Sequence, residues 1–414
     1  MKQDYRHRST CRLCGGVRLS KVLSLAPTPL ANAFVAKDVL TQAQPLYPLD
    51  VYFCEDCTHA QLLDVVDPAV LYQHYVYVSG TSPVFVRHFQ GYAAYVTGRF
   101  HTPVGGLVVE IGSNDGTLLR CFKERGMRVL GVDPAEEITR ATITSGIDAI
   151  VGFFTPDLAH ELRAKQGPAA VIAANNVIAH IDDLSGVMAG VRELLADDGV
   201  FVFEVSYLVD VIENNLFDTI YHEHLDYHSV KPLIGFFHSH GLELIEVSRV
   251  DSHGGSLRGV VQRTGGPRSV DASVAEAVRE EQVLGLDRAD TLRAFAGHID
   301  GIKRELTGLL RELKQQGKRI AGFGAPAKAT TLLYHFGFES GIIDFIVDDS
   351  PLKQGLYSPG MHIPVVPSSE LYAKKPDYVV ILAWNFAQPI IDRHAAFREQ
   401  GGRFIVPLPK VAVI

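Results

Sequence analysis

A chain of 414 residues, 47% hydrophobic and 21% charged, holds enough apolar material for two to four cored domains. Its formal net charge of −8 speaks against non-specific attachment to nucleic acid or to an anionic membrane. No apolar run reaches the roughly 18 residues of a membrane helix. None follows the charged start Met-Lys-Gln-Asp-Tyr-Arg-His-Arg either, so a cytoplasmic chain without a signal peptide is expected.

Four of the five cysteines fall into two C-x2-C pairs, Cys11/Cys14 and Cys54/Cys57, within residues 1–66. Two such knuckles bring four thiolates to tetrahedral spacing around one Zn²⁺. With four cysteines no coordination position stays open, so the metal is expected to be structural. The fifth, Cys121, reads as a buried apolar residue in a helix. Residues 67–105 read as helical and rich in tyrosine. Tyr75 and Tyr77 stand just before the break Ser79-Gly-Thr-Ser-Pro83, where a lid would let either face a ligand.

The stretch Val108-Val-Glu-Ile-Gly-Ser-Asn-Asp-Gly-Thr-Leu-Leu119 predicts strand, tight turn and helix. Gly112 and Gly116 let the backbone turn sharply and approach a ligand closely. A second strand ends at Asp133, 23 residues after Glu110, where an acid can accept hydrogen bonds from both ribose hydroxyls of a nucleoside. A dinucleotide site would show Gly-x-Gly-x-x-Gly and hold a pyrophosphate. Here Glu110 stands on the strand before the turn and Asp115, next to Asn114, inside it, and two carboxylates repel a pyrophosphate. They suit an amino group and a sulfonium, which points to S-adenosylmethionine. Further strands end at Asn175 and Glu204, and ligands sit outside the carboxyl ends of such strands. His180 follows the first of these, and Phe153 and Phe154 follow another strand, where rings could pack on an adenine.

Next comes Phe217-Asp-Thr-Ile-Tyr-His-Glu-His224, four consecutive proton-handling groups from Tyr221 to His224. A metal pair from His222 and His224 lacks a third ligand at a diagnostic spacing. The turn Ser252-His-Gly-Gly255 sets His253 beside small residues that would admit a substrate. Residues 267–316 read as linking helices with solvated charges. At 318–333 a short strand runs into Gly322 and Gly324, Pro326 and Lys328, a pattern that could cradle phosphate. The strand ending at Trp384-Asn385 should face the same cleft.

Together these elements resemble the three-domain S-adenosylmethionine-dependent C-methyltransferases of nucleotide-linked 4-keto-6-deoxy sugars, over essentially the full chain. The resemblance rests on the paired cysteine knuckles, Glu-Ile-Gly-Ser-Asn-Asp-Gly at 110–116 and Asn-Asn-Val-Ile-Ala-His at 175–180. It continues in Phe-Asp-Thr-Ile-Tyr-His-Glu-His at 217–224, His-Gly-Gly at 253–255 and Gly-Phe-Gly-Ala-Pro-Ala-Lys at 322–328. It implies an α/β fold in three parts: a zinc-binding domain (1–66), a central Rossmann-like class I methyltransferase domain (67–266) and, after a helical linker (267–316), a C-terminal Rossmann-like domain (317–414). The nucleotide sugar would lie between the last two domains, touching Glu204, His222, His253, Gly324 and Lys328. Tyr75, His180, Tyr221, Glu223 and His224 match the family's acid/base groups. The implied reaction removes the C-3 hydrogen beside a ketone and methylates the resulting enolate. His224 would be the base, Tyr221 and His180 would serve the enolate oxygen, and Glu223 would orient His224 or hold the sugar. Histidine as a residue type suits such a base, since its ordinary pKa of about 6.5 leaves it neutral yet basic. Glu110, Gly112, Asn114, Asp115, Gly116, Asp133, Phe153 and Asn175 would hold the methyl donor. A monomer is expected. A sugar O-methyltransferase and a nicotinamide-dependent sugar oxidoreductase are the competing readings.

Overall fold

The apolar run at 107–111 is buried at every position, as a strand covered on both faces must be. It sits inside a seven-stranded sheet in the computed structural model, which describes residues 4–72, 80, 83–252, 254–338 and 341–414. Within this sheet we number the strands β1 (Leu107–Ile111), β2 (Arg128–Asp133), β3 (Ala149–Val151), β4 (Ala169–Asn175), β5 (Leu195–Ser206), β6 (Leu242–Val250) and β7 (Ser256–Arg263). Their spatial order is 3-2-1-4-5-7-6. β1 to β5 run parallel, and β7 is inserted antiparallel between β5 and β6. The order reverses between β1 and β4, where an open α/β sheet places its ligand crevice. Glu110, Asp133, Asn175 and Glu204 lie at or near the carboxyl ends of strands around that crevice.

A second sheet has the order Val365–Val366, Ile346–Val347, Ile320–Phe323, Tyr378–Ile381, Arg403–Val406 and Ala412–Val413, with only the last strand antiparallel. The helix Ala289–Gln315 precedes it and buries Leu292, Phe295, Ile299, Ile302, Leu306, Leu310 and Leu313. That three-and-four spacing is one helix face, and it packs on the strand Leu19–Thr28 of the N-terminal sheet.

The N-terminal sheet is where the three parts join. Its order is Asp226–Tyr227, Ala60–Leu62, Tyr47–Cys54 and Leu19–Thr28, so its edge strand comes from far along the chain, beyond β5. The segment 217–228 is thereby held from three sides. Phe217 stacks on Phe336 with ring centroids 5.1 Å apart, and Thr331 Oγ1 donates to the Ile220 carbonyl at 2.8 Å. Burying a ring like that of Phe217 is worth about 1.5–3 kcal/mol. From the N-terminal part, Asn32 Nδ2 donates to Glu223 at 3.1 Å. Among the described residues, no helix is long and apolar enough to cross a membrane.

Candidate active site

The turn after β1 is built for close approach. Gly112 has φ 71°, and a Cβ there would lie 2.8 Å from Val177 Cγ2. Asn114 also adopts a left-handed φ of 47°, and Gly116, at 70°, precedes the helix Thr117–Lys123. Asp133 ties the turn to β2 by accepting from the amides of Asn114 and Ala135, each at 2.8 Å. Asp115 Oδ1 accepts from Thr117 Oγ1 at 2.7 Å, and its Oδ2 accepts from the Gly80 amide at 2.9 Å. Gly80 lies in the break that the sequence marked as a lid. Tyr75, Tyr77 and His253 lie outside the described residues. Phe153 stands 56% exposed beyond β3, its face open. Phe154, the other ring considered for the adenine, belongs to the core: a Cβ on Gly190 would lie 2.8 Å from its Cε1.

Whether these residues fit the methyl donor can be asked of the buried polar atoms. Among the described residues, no hydrogen bond of ordinary geometry reaches Glu110 Oε2 or either amide atom of Asn175. Buried polar groups without partners are rare, and a polar ligand in the crevice would satisfy these. Burial first, and then the charges of Asp133 and Asp115, push the Glu110 carboxyl well above its ordinary value, with Asn175 opposing. Burial raises Asp133 too, against its two backbone bonds. A ligand with an ammonium and a sulfonium fits such a set, and a pyrophosphate does not.

A pH dependence follows. A cation favours the ionised form of Glu110, so binding must expel its proton. Affinity should therefore rise with pH until Glu110 ionises without ligand, by at most about tenfold per unit for one linked proton. Calorimetry at pH 6, 7 and 8 should show this slope, and Glu110→Gln should flatten it. An equal slope in the variant would remove Glu110 from the site.

Shortly after the end of β4 three rings meet. His180 ends the short 3-10 turn Ile178–His180, and its ring centroid is 4.9 Å from that of His224. The Tyr221 ring is 4.1 Å from His224. All three side chains are partly exposed. His224 Nδ1 lies 2.7 Å from the Thr219 carbonyl, an acceptor only. Nδ1 must then carry the hydrogen, which leaves Nε2 with the lone pair in the neutral ring. The sequence expectation had Glu223 holding the sugar or orienting His224. The carbonyl of Thr219 holds that position, while Glu223 meets Asn32. Burial pushes the Glu223 carboxyl up to about 7, with the Asn32 bond opposing.

Three expected substrate contacts are placed differently. His222 points away from the crevice and is buried under the N-terminal sheet. Its Nε2–H faces the Tyr47 and Pro48 carbonyls at 3.3 and 3.2 Å, and burial lowers its pKa. In this turn neighbouring side chains diverge, so His222 and His224 serve opposite sides. Glu204 is buried and fully engaged, receiving Arg258 Nε at 2.7 Å and His88 Nε2 at 2.7 Å. Lys328 is not a free cation at a phosphate cradle. Its ammonium bonds to Asn385 Oδ1, lies 4.5 Å from the Trp384 ring centre and 3.9 Å from Asp218. Burial lowers its pKa, with Asp218 opposing. The Ala325 amide donates to Asp348 at 2.6 Å, so the turn's first free N–H is also taken by a carboxylate. Gly324, at φ 86°, is needed for packing: a Cβ would lie 2.4 Å from that of Ala383. Asn385 of this group lies against the turn between β6 and β7, since a Cβ on Gly254 would lie 3.7 Å from Asn385 Nδ2. Arg12, Asn32, His88, Asp218 and the Thr219 carbonyl escaped the sequence reading, and no spacing marks them.

The metal centre is compact. The ligand sulfurs of Cys11, Cys14, Cys54 and Cys57 all lie within 4.8 Å of one another, with Cys11–Cys57 and Cys14–Cys54 at 3.6 Å. A tetrahedron with Zn–S of about 2.3 Å has edges of about 3.8 Å, so the four thiolates fit Zn²⁺.

Fold and site together define a zinc-bearing, S-adenosylmethionine-dependent methyltransferase. Comparisons with known proteins agree. The chain matches a zinc binding domain family over residues 11–72, a methyltransferase domain family over 86–247 and the C-methyltransferase C-terminal domain family over 251–409. It is 37% identical over 414 residues to the C-methyltransferase NovU of Streptomyces niveus, covering 100% of this chain and 99% of that one. The chain belongs to this family of three-part C-methyltransferases. Similar solved structures include the CcbJ methyltransferase of Streptomyces caelestis (17% identity, 47% of this chain and 95% of that one, TM-score 0.35). A second is an S-adenosylmethionine-dependent methyltransferase of Clostridium acetobutylicum (11% identity, 43% and 92%, TM-score 0.35).

Proposed function

We propose that the enzyme methylates C-3 of a nucleotide-linked 4-keto-6-deoxy sugar through an enolate. The observation that carries this reading is the His180–His224–Tyr221 ring group beside the cofactor crevice, with the lone pair of His224 on Nε2. S-adenosylmethionine supplies the methyl group, carried on a sulfonium. His224 Nε2 takes the C-3 hydrogen as a proton, and the electron pair of the C–H bond passes into the enolate. Tyr221 and His180 hold the enolate oxygen by hydrogen bonds. A donor held by Glu110, Asp133 and Asn175 would present its methyl carbon to C-3, the C–S electron pair leaving with the sulfur. The neutral acid form of Glu223, available below about pH 7, can donate a hydrogen bond toward the sugar. Tyr75 is proposed as a further acid/base group. The sugar enters from the cleft bordered by Gly254, Lys328 and Asn385, so that its nucleotide rests on the C-terminal part.

The test offers the enzyme a 4-keto and a 4-hydroxy nucleotide sugar in D₂O, with S-adenosylmethionine. Mass spectrometry should find one added methyl only on the keto sugar, and NMR should find no hydrogen left on C-3. A methylated product from the hydroxy sugar, or one retaining that hydrogen, would sink the enolate route.

A further inference from the structure

We propose that Arg12 clamps the two histidine-bearing loops of the reaction centre in register. Arg12 stands between the metal ligands Cys11 and Cys14, and its side chain is fully buried. Its guanidinium reaches both loops at once. Nε donates to Asp182 Oδ1 at 3.0 Å, and Asp182 is two residues beyond His180. Nη1 lies 3.3 Å from the Leu225 carbonyl and from Asp226 Oδ1, the two residues directly after His224. Nη2 donates to the Leu62 carbonyl at 2.9 Å.

The loops touch each other through the Leu225 amide, which donates to the Ala179 carbonyl at 2.7 Å. A single backbone bond still permits rotation about it. A rigid planar fork with contacts on both sides removes that rotation, which a lysine could not do. Two further cations converge on the His180 side: Arg6 and, at 2.9 Å, Arg8 both bond to Asp182. On the His224 side, His59 Nε2 lies 2.6 Å from Asp226 Oδ1.

The metal centre sets where the fork stands. Gln61 Oε1 accepts from the Arg12 amide at 2.9 Å, and Gln61 Nε2 donates to Cys11 Sγ at 3.1 Å. The thiolate cluster, Gln61 and Arg12 are thus one rigid unit, and its far end sets the His180–His224 separation. Arg12 is a positioning residue. Its effect on rate rests on the role proposed for His224; its effect on ring geometry does not.

The test uses the zinc-loaded full-length enzyme as Arg12→Lys and as Asp182→Asn. The second keeps Arg12 paired with Asp226, so it guards against a folding failure in the first. ¹⁵N-histidine NMR should show the His180 and His224 ring signals shifted or broadened in both, with metal content unchanged. kcat should fall about 10–100-fold, as sub-ångström to 1 Å misplacement does, while KM for S-adenosylmethionine stays within about twofold. Unchanged ring signals in a folded variant overturn the clamp, whatever the melting temperature does. Displaced rings with wild-type kcat would uphold the clamp and remove His224 as the base.

Discussion

His224→Ala or His224→Asn is expected to lower kcat at least about 100-fold while S-adenosylmethionine binds as before. The expectation rests on geometry. The Thr219 carbonyl fixes the Nδ1–H tautomer and so aims the lone pair of Nε2. Alanine removes the base outright. Asparagine keeps a polar group but has no site basic enough to take a carbon-bound proton at neutral pH. Because the proton moves only in the transition state, kcat and kcat/KM should fall by the same factor. The cofactor side should not respond, since Glu110, Asp133 and Asn175 stand on β1, β2 and β4, away from the 217–228 segment. Calorimetry with S-adenosylhomocysteine and initial-rate kinetics separate the two effects. Wild-type turnover in either variant would remove His224 from the mechanism, and a collapse of cofactor affinity would show the substitution acting through the fold.

Much of this arrangement was legible before any coordinates. Two C-x2-C pairs announce a metal because sulfur spacing alone decides the chemistry. The strand–turn–helix at 108–119 announces a ligand crevice because glycine positions and two carboxylates constrain what can sit there. What escaped depends on contacts between distant parts of the chain. His222 and His224 are the same residue two positions apart, and only the packing of Tyr47 and Pro48 over one of them separates their roles. Lys328 after a glycine turn reads as a phosphate cation until Asp218, Trp384 and Asn385 are seen around it. Glu204 ends a strand as a ligand group should, yet Arg258 and His88 occupy it. In each case a residue of the right type was claimed by a partner more than 50 residues away in sequence, which no local pattern encodes.

Removing the metal should cost the enzyme its activity as well as its N-terminal sheet. Structural Zn²⁺ sites contribute apparent binding energies of about 10–16 kcal/mol in small zinc peptides, so loss of the ion is comparable to the 5–15 kcal/mol that holds a typical domain folded. Here the damage cannot stay local. The edge strand of the N-terminal sheet is Asp226–Tyr227, two residues after His224, and Leu62 N donates to the Leu225 carbonyl at 2.8 Å. When the strands Tyr47–Cys54 and Ala60–Leu62 loosen, Leu225 and Asp226 lose their partners and His222 loses the Tyr47 and Pro48 carbonyls. Among the described residues β1 to β5 make no strand pairing with that sheet, so the cofactor crevice should survive. Chelation, or Cys54→Ser, should therefore give an early melting transition, loss of at least about 100-fold in turnover and near-normal S-adenosylhomocysteine binding. Calorimetric scanning alongside metal analysis checks this. A metal-free protein that melts as the wild type and keeps its turnover would show that the four cysteines hold no structural ion, whereas one that loses its cofactor affinity along with its turnover would show the three parts to be a single cooperative unit.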